Sequence, residues 1–285
     1  MFVRCCQRRH LLPPRISKKQ VGEKDPLPLS LVVGEGGRSE HLRISVKSRH
    51  ESHLTPVPMS HLSPVFYGRQ FRNGFTVLPR HRHGDSYLAL VLSGGYEEAG
   101  DGGRHRVRAG DVVMHGAFEA HLNRYDAEGS EVLDLALPHW MEPSNILMQA
   151  PDPDTAVRLA ERDPKEALAF LFATMKPVSG HLLDWPDELA LDMARDPHLR
   201  LQDWARERKL ADATISRGFR QVFGVAPSVY RVQLKGRHAW RQAAGGRDDL
   251  SSIAAHAGFC DQAHMTHAVR AITGRTPGAW RRHVK

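Results

Sequence analysis

The last third of the chain carries one helical pattern twice. Residues 201–231, LQDWARERKLADATISRGFRQVFGVAPSVYR, read as a short apolar helix, a turn and a second amphipathic helix. Residues 250–282, LSSIAAHAGFCDQAHMTHAVRAITGRTPGAWRR, repeat that order about 50 residues later, with one extra residue in the turn. A repeated short helix, turn and second helix predicts an all-α unit with two helix-turn-helix motifs.

The second helix of each copy has an apolar side and a polar side. The apolar side is predicted to form the core: Ile215, Phe219 and Val222 in one copy, and Met265, Val269 and Ile272 in the other. The polar side carries small and basic residues, which suit contact with base edges and phosphates in a major groove. The predicted DNA-binding residues are Ala213, Thr214, Ser216, Arg217, Arg220, Gln262, Ala263, His264, Thr266, His267 and Arg270.

Both copies end with the same pattern, G-x-x-P-x-x-[YW]-R, which reads GVAPSVYR at 224–231 and GRTPGAWR at 274–281. With the stretch GFCDQAHMTHAVR at 258–270, these motifs make the chain from about residue 199 onward resemble the AraC family of transcription regulators. The resemblance implies a sequence-specific DNA-binding regulator that responds to a small-molecule effector and is not an enzyme. Lys209 departs from the pattern, because many relatives carry Gly at this turn, and a positive φ there is unfavourable for lysine.

Charge divides the chain into three parts. The net charge is +6 for residues 1–58, −8 for residues 59–197 and +10 for residues 198–285. The basic excess therefore lies on the repeated unit, where contacts with DNA phosphates require it. The acidic middle part would be repelled by DNA and suits a separate sensing domain.

Residues 1–58 are predicted to be a disordered basic extension, because they are rich in Pro, Arg, Ser and Gly and show no periodicity. The alternative is an upstream extension of a natural chain that starts at Met59. Nowhere does the sequence approach the roughly 18–20 apolar residues of a membrane span. Three cysteines, Cys5, Cys6 and Cys260, provide no disulfide framework, and a reducing cytoplasm is expected.

The predicted fold is α+β and multidomain. Residues 59–138 contain the β-rich runs 87–94, 104–115 and 131–138, with hairpin turns expected in GGYEEAGDGG, and are predicted to form a cupin-like, effector-sensing barrel. Residues 139–197 are predicted to be a helical dimerisation or linker region, in which Leu168, Leu171 and Phe172 face either a second copy or the barrel. Residues 198–285 form the DNA-binding domain, with residues 229–244 as a connecting helix.

Several histidines of the β-rich part form a candidate site. His81, His83, Tyr87, His115 and His121 are predicted to line an effector pocket. Cupin enzymes hold a metal with an H-x-H pair, a Glu and a later His, and here Tyr87 occupies the position of the Glu. We therefore expect no catalytic metal and no cofactor, while a site of His81, His83 and His121 stays open as an alternative.

Two other functions compete with the regulator. One is a cupin metalloenzyme that carries a DNA-binding tail, and the other is a DNA-binding protein that responds to no effector. The expected partners of the regulator are double-stranded DNA and an unknown small molecule. RNA polymerase and a second copy of the chain are further candidates, and no membrane is expected.

Deletion of residues 1–58 tests the predicted extension. Because their composition cannot support a packed core, the unfolding midpoint and the affinity for DNA should stay nearly unchanged. Thermal unfolding and DNA titration of the shortened chain measure both quantities. A large fall in the midpoint would show that the extension packs on the rest of the protein.

Overall fold

The computed structural model describes residues 62–138, 141, 147–178 and 184–283. In these residues an antiparallel sheet comes first and a helical domain follows, which confirms a mixed α and β chain. The predicted extension at 1–58 and the predicted start at Met59 lie outside the described residues. Within them, no helix has both the length and the apolar composition needed to cross a bilayer.

Antiparallel strands form one sheet in the order β1-β6-β3-β5-β7-β8, with β2 also paired to β6 and β4 to β3. The described strands are β1 Gly68–Arg72, β2 Val77–Arg82, β3 Tyr87–Gly100, β4 Gly103–Arg108, β5 Asp111–His115, β6 Ala120–Ala136, β7 Met148–Gln149 and β8 Lys176–Pro177. β3 and β6 are long enough to pair with several partners each, and their mutual pairing is the centre of the sheet. The pairing path ends at β1 and β8, so it does not close a barrel among the described residues.

Two local predictions for the sheet are only partly right. The GGYEEAGDGG segment contains a hairpin turn between β3 and β4, but this turn comes only after Gly100, because β3 continues through Gly94 and Gly95 with register shifts. The run 104–115 is two strands, because a turn at Ala109 and Gly110, where Gly110 takes a φ of 87°, interrupts it; both strands pair antiparallel with β3. In both places the glycines permit a bulge or a turn, and the pattern of side chains cannot distinguish the two.

Nine helices are described, and the connecting helix predicted over residues 229–244 spans Pro227–Gly245. They are α1 Pro153–Ala160, α2 Pro164–Thr174, α3 Trp185–Arg195, α4 Leu201–Glu207, α5 Asp212–Phe223, α6 Pro227–Gly245, α7 Leu250–His256, α8 Gln262–Thr273 and α9 Pro277–His283. The side chains of Asp152 and Asp163 cap the first backbone N–H groups of α1 and α2, and a proline follows each cap. The carboxylate of Asp261 caps α8 in the same way.

The first two helices cover one face of the sheet. Ala167 and Leu171 of α2 are fully buried in one apolar cluster with Leu88 and Leu90 of β3. Leu168 packs against this cluster, whereas Phe172 is 39% exposed. The sequence left undecided whether Leu168, Leu171 and Phe172 face a second copy or the barrel. Leu168 and Leu171 pack on the sheet of their own chain. We call residues 62–178 the sheet domain.

α3 packs with the first helix pair and also contacts the sheet, where Arg104 of β4 donates to Asp187 at 2.8 Å. Leu189 and Met193 share an apolar cluster with Trp204, Phe219 and Tyr230. Ala99 and Leu122 of the sheet domain belong to the same cluster. One apolar core thus joins the first helix pair to the sheet domain, and it crosses the predicted boundary at residue 197.

α6 is a single helix of 19 residues, about 28 Å long, and it connects the two helix pairs. Gly236 does not interrupt it. A Cβ atom at this position would collide with the side chain of Ile272 on α8, so glycine allows the two helices to approach closely. The second helix pair has its own core, in which Ile253, Met265 and Val269 are buried with Ala239 and Ala243 of α6.

Charged residues that are almost fully buried join α6 to the sheet domain. Arg80 donates to Asp101 at 2.6 Å and to Gln233 of α6 at 3.0 Å. Arg237 of α6 lies 3.4 Å from the carboxylate of Glu119 and donates to the carbonyl of Ala117. We call Arg80, Asp101, Glu119, Gln233 and Arg237 the interdomain charge cluster.

The two turns of the repeat provide a matched pair of stability tests. Lys209 has a φ of 54° and Gly258 a φ of 76° at the turn of the other copy, so the predicted positive φ at Lys209 is confirmed. Lys209→Gly should stabilise the protein by about 0.5–1 kcal/mol, because glycine adopts this conformation without a Cβ penalty. Gly258→Ala should destabilise it by at least as much, since the added Cβ would also meet Lys235 and Pro197. Chemical denaturation measures both changes in the free energy of unfolding. Two changes of the same sign would contradict the correspondence between the two turns.

Candidate nucleic-acid interface and histidine cavity

The outward faces of α5 and α8 are alike in exposure. Arg217 and Arg220 are exposed on α5, as are His267 and Arg270 at the matching positions of α8. Ser216 and Thr266 are half-buried, and the remaining predicted DNA-binding residues are exposed: Ala213, Thr214, Gln262, Ala263 and His264. The predicted core residues Ile215, Phe219, Met265, Val269 and Ile272 are buried, while Val222 is half-buried. Helical periodicity therefore placed both faces correctly, and two similar polar surfaces result.

The chemistry of the two surfaces differs. The guanidinium of Arg217 makes one hydrogen bond to the carbonyl of Ala213 on its own helix, at 3.3 Å. It is a forked donor that can bind both O6 and N7 of a guanine. His267 occupies the matching position of α8, and its imidazole is neutral or charged according to its surroundings. On α8, Asp261 also holds the first turn by accepting from the backbone N–H of His264 at 2.7 Å.

The sheet domain contacts the end of α5 that lies away from this surface. Arg124 of β6 donates to the carbonyl of Val222 at 3.2 Å and also to the carbonyl of Gln221. These carbonyls have no partner within the helix, and a cation is favourable at this end of the helix dipole. The sheet domain thereby anchors α5 by its C-terminus and leaves the N-terminal half of the helix exposed.

A second group of candidate residues surrounds a cavity of about 60 Å³ inside the sheet domain. The five predicted residues of the effector pocket all line it: His81, His83, Tyr87, His115 and His121. The imidazole centroids of His81 and His121 are 4.4 Å apart, as are those of His115 and His121. We call this space the histidine cavity. β2, β3, β5 and β6 each contribute to it, and β2 and β6 place His81 opposite His121 in register.

Burial keeps these imidazoles neutral. It lowers the pKa of His81 to about 4, lowers that of His83, and lowers those of His115 and His121 well below the usual value. The Nδ1 atoms of His81 and His83 lie 2.8 Å from the carbonyl oxygens of Pro79 and Ser63. A carbonyl only accepts, so Nδ1 carries the hydrogen in both rings and the lone pair is on Nε2.

Two acidic residues of the cavity were not identified from the sequence. Glu98 lies 3.5 Å from Nε2 of His115, and burial raises its pKa to about 8. Asp134 accepts a hydrogen bond from Gln70 at 2.7 Å, and burial raises its pKa to about 7. Glu98 was missed because its segment was expected to be a turn. Asp134 did give a signal, since it is the one charged residue in the apolar run VLDLAL.

Three of the histidines are arranged so that they can hold a metal ion. One nitrogen each from His81, His83 and His121 lies within 4.8 Å of the other two. Tyr87, at the position where a carboxylate was expected, places its hydroxyl 3.4 Å from Nε2 of His121. Asp85, the nearest acid in sequence, is exposed and does not line the cavity.

Residues 204–283 match a family model described as a helix-turn-helix domain. The match covers both helix pairs and the connecting helix, so the chain is a DNA-binding transcription regulator. Its helix-turn-helix domain is of the AraC type. No protein in a search of curated sequences matches this chain.

Several solved structures are similar to parts of the chain. An apo variant of ToxT from Vibrio cholerae is 13% identical, covers 76% of this chain and 96% of its own, and has a TM-score of 0.37. The DNA-binding domain of AdpA, solved with a target DNA, is 20% identical over 35% of this chain and 93% of its own, with a TM-score of 0.34. The C-terminal domain of AraT from Geobacillus stearothermophilus is 17% identical over 34% of this chain and 84% of its own, with a TM-score of 0.33. Scores of this size carry no argument about function.

The titration of Asp134 predicts how stability depends on pH. Its pKa is raised from 3.8 to about 7, so the folded protein holds a proton that the unfolded chain releases. The stabilisation that this bound proton provides is complete below pH 3.8, the pKa of the carboxyl in the unfolded chain. It is lost as the pH rises through about 7, the pKa in the folded protein. Asp134→Asn cannot ionise and still accepts from Gln70, so its unfolding midpoint should fall less between roughly pH 4 and 7. Glu128→Gln, an exposed position on the same strand, should keep the wild-type slope.

Proposed function

We propose that the protein reads a specific operator sequence with two helix-turn-helix units, of which α5 and α8 are the recognition helices. The observation that carries the proposal is that α5 and α8 expose polar residues at corresponding positions and bury apolar residues at corresponding positions. The net charge of +10 in residues 198–285 supplies the attraction to phosphate that any such reader needs. Selection of bound DNA from a random pool tests this proposal and identifies the operator.

The connecting helix fixes the distance between the two units. α6 is about 28 Å long and packs against both helix pairs, so the units cannot move apart independently. Successive turns of the major groove are about 34 Å apart. The two recognition helices therefore suit adjacent major grooves on one face of the duplex, and a two-part operator is expected.

We also propose that the sheet domain is a cupin-like sensor whose effector occupies the histidine cavity. Its contact with α6 through the interdomain charge cluster supports this role, because a change at the cavity would reach the DNA-binding domain directly. We further propose that the chain acts in the cytoplasm as a homodimer. It would regulate transcription through RNA polymerase. Size measurement in solution tests the dimer.

A metalloenzyme with a DNA-binding tail has one specific observation in its favour, the three neighbouring histidines. The volume of the cavity argues against it. A space of about 60 Å³ leaves little room for an organic substrate beside a bound ion. Turnover assays on the metal-loaded protein distinguish the enzyme from the regulator.

Substitution of Arg217 and His267 tests the roles of the two helices. Arg217→Ala should weaken binding to the selected operator by about 1–3 kcal/mol and relax the choice of base at one position. His267→Ala should cost less, because a single imidazole cannot bind guanine with the two parallel hydrogen bonds that a guanidinium makes. Binding of both variants to single-base changes of the operator, at one salt concentration, measures these effects.

Arg247→Ala is a suitable control, because this exposed arginine lies between the helix pairs and not on either recognition helix. It should lower the affinity for all sequences by a similar small factor. The assignment of roles is wrong if His267→Ala removes base discrimination while Arg217→Ala weakens all sequences equally.

A further inference from the structure

The histidine cavity is too small for most organic effectors. Sites for drug-sized ligands occupy roughly 300–1,000 Å³, and a water molecule has a share of about 30 Å³. At about 60 Å³ the cavity holds a ligand the size of an ion with one or two waters. Imidazole, phenol, carboxyl and amide groups line this volume, together with the guanidinium of Arg72 and apolar side chains such as Leu78 and Val132.

The donors suit one class of ion. Neutral imidazole nitrogen favours transition metals such as Zn²⁺, Ni²⁺ and Cu²⁺ over Mg²⁺ and Ca²⁺, which prefer oxygen. His81 and His83 each donate Nδ1–H to a backbone carbonyl at 2.8 Å, and this second contact fixes the ring with Nε2 available as a ligand. His121 completes a set of three nitrogens, all within 4.8 Å of one another.

We propose that the histidine cavity binds one divalent transition-metal ion through His81, His83 and His121, and that this ion is the effector of the regulator. The proposal rests on the proposed regulatory function and names the chemical class of its effector. It replaces the expectation of a metal-free site, which depended on Tyr87 in place of a carboxylate. Three imidazoles are a sufficient protein set for an ion that keeps a water as its fourth ligand.

Hydrogen bonding within the cavity does not account for the buried His121. Glu98 explains the burial of His115, since the two side chains are 3.5 Å apart. The buried Nδ1 of His121 has no hydrogen-bond partner, and Nε2 has only the hydroxyl of Tyr87 at 3.4 Å. A buried imidazole with so little hydrogen bonding is costly unless a ligand compensates for it.

The cavity is connected to the DNA-binding domain through two short paths. His121 pairs in register with Gly100, whose carbonyl accepts a hydrogen bond from Tyr230 of α6 at 3.0 Å. His81 follows Arg80, which donates to Gln233 of α6 at 3.0 Å. An ion that holds His81 and His121 together therefore acts on β2, which contacts α6 through Arg80, and on β6, which pairs with β3 at the residue that contacts Tyr230. Its binding should change the affinity for DNA.

The test uses the untagged full chain, stripped with a chelator and then titrated with Zn²⁺ or, as a hard-ion control, Mg²⁺. We expect one zinc per chain by elemental analysis and an unfolding midpoint raised by zinc but not by magnesium. His81→Gln and His83→Gln should each lower the zinc affinity by at least about 100-fold, because loss of a ligand costs more than loss of its hydrogen-bond partner. The midpoint of each metal-free variant shows whether it still folds.

The double variant Cys260→Ser/His264→Gln is the matched control. It removes an exposed thiol and imidazole 3.1 Å apart, which lie on α8 or just before it and far from the cavity in sequence. It should retain one zinc per chain. No zinc in the wild type, or zinc that survives in His81→Gln/His83→Gln and disappears in the control, would overturn the proposed site.

The regulatory part is tested with DNA selected by the full chain from a random pool. Zinc should change the affinity of the wild type by at least about fivefold and leave that of His81→Gln unchanged. Equal affinity with and without zinc would overturn the ion as effector while the DNA-binding function stands. Failure to select any DNA would instead refute the proposed operator reading, and the zinc stoichiometry would still decide the metal site.

Discussion

Buried charges between the sheet domain and α6 are the interaction on which the arrangement of this protein depends. Arg80, Asp101, Glu119 and Arg237 are all less than 10% exposed. Each would be costly to bury alone, so the two domains must meet with these groups opposite one another. Burial raises the pKa of Glu119, while Arg237 acts in the opposite direction and favours its charged form. Such a cluster specifies one docking geometry, whereas apolar contact alone would tolerate several.

The position of this cluster gives it a role in function. α6 connects the two helix pairs, and the sheet domain holds its middle through Gln233 and Arg237. The sheet domain also holds the C-terminal end of α5 through Arg124, while Phe118 packs at 4.7 Å from Trp240 of α6. One domain therefore contacts both units of the DNA-binding domain. Any change of strand position in the sheet would alter the positions of α5 and α8 relative to each other.

The histidine cavity lies directly behind this contact. Tyr230 is fully buried and donates to Gly100, the residue that pairs with His121 in the neighbouring strand. Few atoms thus separate a group of neutral imidazoles from the helix that orients the recognition surfaces. This short distance is what a regulator requires, because coupling depends on a physical element whose position both sites affect.

The sequence by itself determined the helical repeat, both faces of α5 and α8, the caps of α1 and α2, and the five histidine and tyrosine residues of the cavity. These features depend on local spacing, which a single sequence expresses directly. The tertiary structure decided the rest. It extended β3 through a predicted turn, left the sheet path open and brought Glu98 and Asp134 beside the histidines. Pairing between distant strands and burial at a domain contact depend on residues far apart in the chain, and no local pattern specifies them.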